Sequence, residues 1–241
     1  MNGDLYISDF SDFSIFILDD TGRKKKVFKT GKGRGPGEFL NLTDFDVIRD
    51  TLWAVDIQNL RVSSFSLNNG EFLESFSLEH RPLRIATLDE GFVIQWLGAD
   101  SLFSKFDYQG NELHQFGSVI EDQQIHMMSL SGEIRSAGTD RFVYLPNYAS
   151  LVYQYKSDGE LINVIRAPDG IEFPVTEREG PRSHAPDFSF QRNAWVDHDD
   201  YLYVYTRLPG EQQSNGEWEG EPWGVFDKYN LREGFELPSG F

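Results

Sequence analysis

A chain of 241 residues without cysteine excludes disulfides, thiolate nucleophiles and cysteine-ligated zinc. Its formal net charge of −17 sets whole-molecule repulsion against phosphate backbones and anionic membrane surfaces, so neither is expected as the main partner. The 39% apolar fraction excludes wholesale disorder, and 20 Phe and 10 Tyr beside 22 Gly fit short twisted strands and tight turns better than a helical bundle.

Taken in chain order, Met1 runs into the alternating Leu5–Asp9 without a charged-then-apolar leader. No later run reaches the roughly 18 apolar residues of a membrane-spanning helix. Leu5–Asp9 reads as a strand, Ile15–Leu18 as its partner, and Gly22 as the end of the turn that follows. That unit recurs. Strands equivalent to Leu5–Asp9 are expected at Leu52–Ile57, Phe92–Leu97, Phe142–Asn147 and Leu202–Arg207. Their partners are expected at Val62–Leu67, Leu102–Asp107, Leu151–Lys156 and Gly224–Tyr229. Closing glycines at Gly22, Gly70, Gly110, Gly159 and Gly234 stand 48, 40, 49 and 75 residues apart. Weaker inner strands precede at Asp44–Ile48, Leu83–Thr87, Ile134–Ala137 and Asn193–Asp197. Insertions at Ile171–Ser189 and Pro209–Pro222 account for the longest spacing, the second reading as a solvated hairpin extension. A repeat of this length with four strands is the pattern of a propeller blade.

Residues 31–66 resemble an NHL repeat, and the Gly-rich stretch before Glu38 and Phe39 is similar to six-bladed propellers of the TolB-like superfamily, common among bacterial exported proteins. Asp56, Asn59 and Arg61 match that family's Asp-x-x-Asn-x-Arg turn, where carboxylate and amide can pair with the guanidinium and with turn amides. The resemblance implies an all-β propeller of four-stranded antiparallel blades, of the six-bladed type, and an exported location. Blades are expected at 1–31, 40–79, 82–120, 132–168 and 190–241, in one domain. The first unit lacks an inner strand and no sixth follows, which reads as an incomplete ring, or else as a five-bladed ring with irregular closure.

Several constellations are weighed against bland alternatives. Gly31–Gly37 has Pro36 where a dinucleotide loop needs glycine and lacks a following helix, so it reads as an inter-blade crossing. Lys24, Lys25, Lys26, Lys29, Lys32 and Arg34 form a basic run that would suit RNA or another polyanion, but lysines on an exposed outer strand also discourage edge pairing. Five scattered histidines lack zinc spacing, and Asp197–Asp200 lacks the alternating ligands of a calcium loop, so it reads as a turn. No Gly-x-Ser-x-Gly elbow points to covalent hydrolysis. Trp53, Trp96, Trp195 and Trp223 read as packing between blades, whereas Trp218 sits on an insertion where a large aromatic either folds back onto the propeller rim or anchors a partner.

Propellers present ligands where inner strands converge on the channel, which makes Asp44, Asp46, Arg84, Arg135 and Asn193, with Trp218, the candidate ligand contacts. The function expected is a monomeric, non-enzymatic binding or scaffold module for a protein, peptide or glycan, without a cofactor. A lactonase or lyase holding a divalent cation such as calcium is the alternative, and polyanion binding through residues 23–34 a second.

Overall fold

The computed structural model describes residues 4–9, 11–117, 130–166, 191–197, 199–208, 211–212, 218–219, 223–232 and 235–237. Every regular element among them is a strand, and the sheets follow one another along the chain. Blade one is three-stranded, with β1 (Leu5–Asp9), β2 (Ser14–Leu18) and β3 (Lys24–Lys29). Blade two holds β4 (Leu42–Ile48), β5 (Thr51–Asp56), β6 (Arg61–Ser66) and β7 (Phe72–Ser77). Blade three holds β8 (Arg81–Leu88), β9 (Gly91–Leu97), β10 (Phe103–Phe106) and β11 (Glu112–Phe116). Blade four holds β12 (Gly132–Ser136), β13 (Arg141–Pro146), β14 (Leu151–Lys156) and β15 (Leu161–Arg166). In blade five, β16 (Gln191–Val196) and β17 (Tyr201–Leu208) lead into a two-stranded ribbon, β18 (Glu211–Gln212) and β19 (Trp218–Glu219), before β20 (Trp223–Asn230) and β21 (Phe235–Leu237). The protein is an all-β propeller of small antiparallel blades, five of them here.

The blades hold together because their middle strands, such as β5, β9 and β13, are buried on both faces, one toward each neighbour. Four apolar clusters result, each shared by consecutive blades. Between blades three and four, Phe103 is wholly buried, its ring 5.3 Å from Phe142, 5.4 Å from Tyr144 and 5.6 Å from Tyr155. A ring buried to this degree contributes about 3–5 kcal/mol relative to alanine, so one such seam carries a large part of a domain's net stability. Trp53 and Trp96 pack in the seam between blades two and three, as their position in strands suggests. Trp195 corrects that expectation: it is 46% exposed, stacked 5.2 Å from Tyr203 on the outward face of blade five, with Phe226 beside it. Its neighbour Ala194 points the other way, into the seam with blade four, and strand alternation forces Trp195 outward.

Hairpin turns follow the glycine rhythm. Gly22, Gly70, Gly110 and Gly159 have φ of 78°, 81°, 82° and 90°, a region open to glycine at no steric cost. Asp19 and Asp107 complete two of these turns by accepting hydrogen bonds from amides two and four residues on. The crossing from blade one to blade two is held by the Asp56, Asn59 and Arg61 turn, with a division of labour that differs from direct pairing. The Asp56 carboxylate accepts from the amides of Leu40, Gln58 and Asn59 and from the Asn59 side chain, at 2.7–2.9 Å. Arg61 instead donates to the carbonyls of Arg34, Gly35 and Glu38, and Asn59 to that of Gly33. The glycine-rich run is therefore a strap that lends carbonyls to a guanidinium, with Glu38 folded back to accept from the Gly35 amide at 2.8 Å.

All four inner strands start two residues earlier than the sequence suggests, and two of these starts matter most for the channel. A bulge lies between Leu42 and Asp44, so β4 begins at Leu42. In blade four β12 begins at Gly132, which carries Glu133 onto the inner strand. Only glycine fits there, since a Cβ on residue 132 would lie 2.2 Å from the Leu145 carbonyl oxygen. The insertion Ile171–Ser189 lies outside the described residues.

Candidate ligand site at the channel face

The inner strands β4, β8, β12 and β16 each occupy the edge of their sheet and adjoin one another around the propeller axis. An inner edge strand carries backbone groups that its own sheet leaves unpaired, and these require partners from elsewhere. Side chains of neighbouring blades supply them. Asp44 on β4 accepts a hydrogen bond from the Ile85 amide of β8 at 3.1 Å, and Asp46 accepts from the Thr87 amide at 2.7 Å. The Ser136 hydroxyl of β12 lies 2.7 Å from both Asp46 Oδ2 and the Thr87 carbonyl oxygen. Arg135 of β12 donates through Nε to the Ala194 carbonyl of β16 at 2.9 Å. Thus blades two to five are tied in sequence.

On this frame sits a charged cluster. Glu133 receives Arg84 at 2.8 Å on Oε1 and Arg135 at 2.5 Å on Oε2, bridging two guanidiniums from adjacent blades. Arg135 also reaches Asp44 at 3.2 Å, closing a chain from Arg84 through Glu133 and Arg135 to Asp44. The carboxylates lie deep: Asp44 and Glu133 side chains are each 7% exposed, against 24% for Arg84 and 25% for Arg135. Burial pushes the Asp44 carboxyl up to about 6, the guanidiniums of Arg135 and Arg84 opposing it and Glu133 adding to it. Burial by itself would lower the Arg135 pKa, but Asp44 and Glu133 outweigh it and hold the group above its ordinary value. Both arginines stay charged.

Of the residues singled out in sequence, the structure brings Asp44, Asp46, Arg84 and Arg135 together. Asn193 stands exposed on β16, outside that network, and it is the neighbouring Ala194 carbonyl that joins it. Trp218 lies on β19, and its side chain is not among those described. Within the basic run, several residues have partners of their own. Lys25 pairs with Asp4 at 2.7 Å, Lys29 with Asp12 at 3.4 Å, and Lys26 donates to the Leu67 carbonyl at 2.8 Å while lying over the Phe28 ring. Lys24 is exposed on β3, Lys32 is tied by its backbone to Phe39, and the Arg34 carbonyl serves Arg61. Glu133, Thr87 and Ser136 were missed by sequence reasoning. Glu133 carried a usable signal, lying two residues before Arg135 and hence on the same side of a strand. Asp197, Asp199 and Asp200 lie in the turn between β16 and β17, and among the described residues no three His, Asp or Glu side chains are arranged to hold a metal ion.

A family profile described as a 6-bladed beta-propeller, DUF5128, matches residues 1–206, a span that contains the whole channel cluster. The chain belongs to that family. No functionally curated protein sequence matches it. Among solved structures it is similar to a candidate exported protein of Bacteroides fragilis, at 16% identity and a TM-score of 0.63, covering 98% of this chain and 68% of that one. It is also similar to Kuenenia stuttgartiensis hydrazine synthase, at 11% identity and a TM-score of 0.60, covering 98% and 63%. A Bacteroides caccae protein of unknown function matches at 12% identity and a TM-score of 0.54, covering 99% and 72%. The chain thus spans about two thirds of the length of these structures, and identities this low speak to the fold alone. No helix among the described residues is long and apolar enough to cross a membrane.

Proposed function

We propose that this propeller is a non-enzymatic binding or scaffold protein that recognises a protein, peptide or glycan ligand at the mouth of its channel. One observation carries the reading: Asp44, Arg84, Glu133 and Arg135, contributed by three consecutive blades, converge on the channel face and leave a quarter of each arginine side chain open. Convergent polar groups on a rigid apolar frame are what orient a ligand. Asp44 and Glu133 are committed to guanidiniums and an amide, and Asp46, which accepts from the Ser136 and Thr87 hydroxyls, also holds the Thr87 amide in the frame that ties the blades, which favours recognition over catalysis.

The same reading includes export and kinship with NHL and TolB-like propellers. Export is supported by the candidate exported protein among the similar structures, and the kinship by the Asp56, Asn59 and Arg61 turn with its glycine-rich strap. Screening peptides and oligosaccharides by calorimetry against the wild type and Arg135→Gln tests the central reading. A ligand whose affinity falls at least tenfold in the variant supports it, and one bound equally well by both places recognition elsewhere.

A further inference from the structure

The channel cluster is anionic in composition yet cationic in what it presents. Asp44, Asp46 and Glu133 set three carboxylates against two guanidiniums, and each carboxylate is engaged within the cluster, Asp44 through Oδ2. Asp44 serves the Ile85 amide and Arg135, Asp46 serves Thr87 and Ser136, and Glu133 serves both arginines. The arginines are less fully engaged. A guanidinium has five N–H groups. Arg84 directs Nε and one terminal nitrogen to Glu133, and the other to the carbonyls of Leu83 and Thr43. Arg135 directs Nε to Ala194, one terminal nitrogen to the Ile134 carbonyl and Asp44, and the other to Glu133. On each, the terminal nitrogen facing Glu133 keeps a second hydrogen that these bonds do not use. The two arginine side chains are the more open members of the cluster, at 24–25% exposure against 7% for Asp44 and Glu133.

We propose that Arg84 and Arg135 together read a carboxylate of the ligand, and that Asp44 competes with that carboxylate for Arg135. The inference rests on the reading of the channel mouth as the ligand site and names the chemistry of the group bound there. Two spare hydrogens on two neighbouring guanidiniums suit the two oxygens of one planar carboxylate. A doubly charged phosphate would meet three nearby carboxylates and a chain of net charge −17, which a monoanion suffers less. The groups facing Asp44 are Arg84 from β8, Glu133 and Arg135 from β12, and Asp46 from its own strand. Protonating Asp44, whose carboxyl burial raises to about 6, removes one negative charge and releases Arg135 toward the ligand. Carboxylate affinity therefore rises as the pH falls from 7.5 toward 5.

The test uses the whole chain with an acetylated, uncharged tripeptide carrying a free C-terminal carboxylate, its C-terminal amide, and a glucuronate-ended disaccharide with its neutral glucose counterpart. Calorimetric titration is expected to show at least tenfold preference for the acid over its neutral partner in one of the two pairs. Arg84→Gln should erase that preference, and Asp44→Asn should bind several-fold tighter at pH 7.5 with a flattened pH dependence. The wild-type comparison of acid with neutral partner needs no variant, so a poorly folded substitution leaves it intact. Equal affinity for acid and neutral partner, or no binding of either acid, overturns the inference. Should a neutral ligand bind and lose affinity in Arg135→Gln, the channel reading stands without the carboxylate; should binding survive both arginine variants, the channel reading falls as well.

Discussion

The Asp44 carboxylate of blade two accepts a hydrogen bond from the Ile85 amide of blade three, 41 residues away, at 3.1 Å while holding Arg135 of blade four at 3.2 Å. One side chain thus bears on three blades. The same oxygen that completes a neighbour's edge also sets the electrostatics of the channel.

A pH dependence follows from that double duty. Asp44 titrates near 6 when folded and near 3.9 when unfolded, so the native state binds the extra proton between those values. This contribution is fully present below about pH 4 and is lost as the pH rises through about 6. Comparing Asp44→Asn with the wild type by urea unfolding at pH 7.5 and pH 4.5 should show the variant losing relative stability toward acid, by about 2 kcal/mol. A difference that does not change with pH would contradict it.

Gly132 is expected to be irreplaceable for reasons of space. An added Cβ would strike the Leu145 carbonyl oxygen at 2.2 Å, and backbone cannot swing aside as a side chain can. Gly132→Ala should cost about 3 kcal/mol and displace the start of β12 with Glu133. Gly22→Ala, whose Cβ would meet nothing within 4 Å but whose φ is +78°, should cost only about 1 kcal/mol. Thermal denaturation of the two variants checks the ranking.

Lys105 is the reverse case, a residue whose removal should help. Its side chain lies in β10 at 4% exposure with no hydrogen-bond partner for Nζ among the described residues, and burial pushes its pKa below the usual lysine value. Lys105→Met keeps the length of the chain and removes the buried amine, and should raise stability by on the order of 1 kcal/mol at pH 7. In the wild type, stability from this group is gained as the pH rises through its folded pKa toward the unfolded value. The advantage of the methionine variant should accordingly shrink between pH 7 and pH 10.

Arg61 tests whether the strap is held by its guanidinium. Its donors reach the carbonyls of Arg34, Gly35 and Glu38, a fork that lysine cannot copy. Arg61→Ala should lose about 2 kcal/mol, with Arg61→Lys restoring less than half of it. Full rescue by lysine would show that charge, not geometry, holds the crossing.

The blade rhythm was legible because three signals coincide in it: period-two apolar alternation, a turn glycine at a fixed place, and an Asx residue before it, as in Asp19 to Gly22 and Asp107 to Gly110. Asp44, Asp46, Arg84 and Arg135 were legible too, being polar residues in strands that should line a channel. Glu133 was legible only through its place two residues before Arg135, a signal masked because its strand begins at Gly132, a residue poorly suited to strands that the close approach of Leu145 requires there. The outward turn of Trp195 was hidden for another reason. Alternation shows that neighbours point oppositely but not which of the two faces a packed seam, and that depends on the next blade. The bonding of Arg61 to carbonyls, in place of Asp56, required the third dimension, since the strap is 23–27 residues away in sequence.

The channel mouth as the place of recognition is tested most directly by the side-chain Nε–H resonances of the arginines during titration with a bound peptide or glycan. Shifts concentrated at Arg84 and Arg135, and lost when Arg135→Gln removes one of the pair, are the result expected. Shifts at rim residues such as Arg166 or Arg232 with Arg84 and Arg135 unmoved would contradict it.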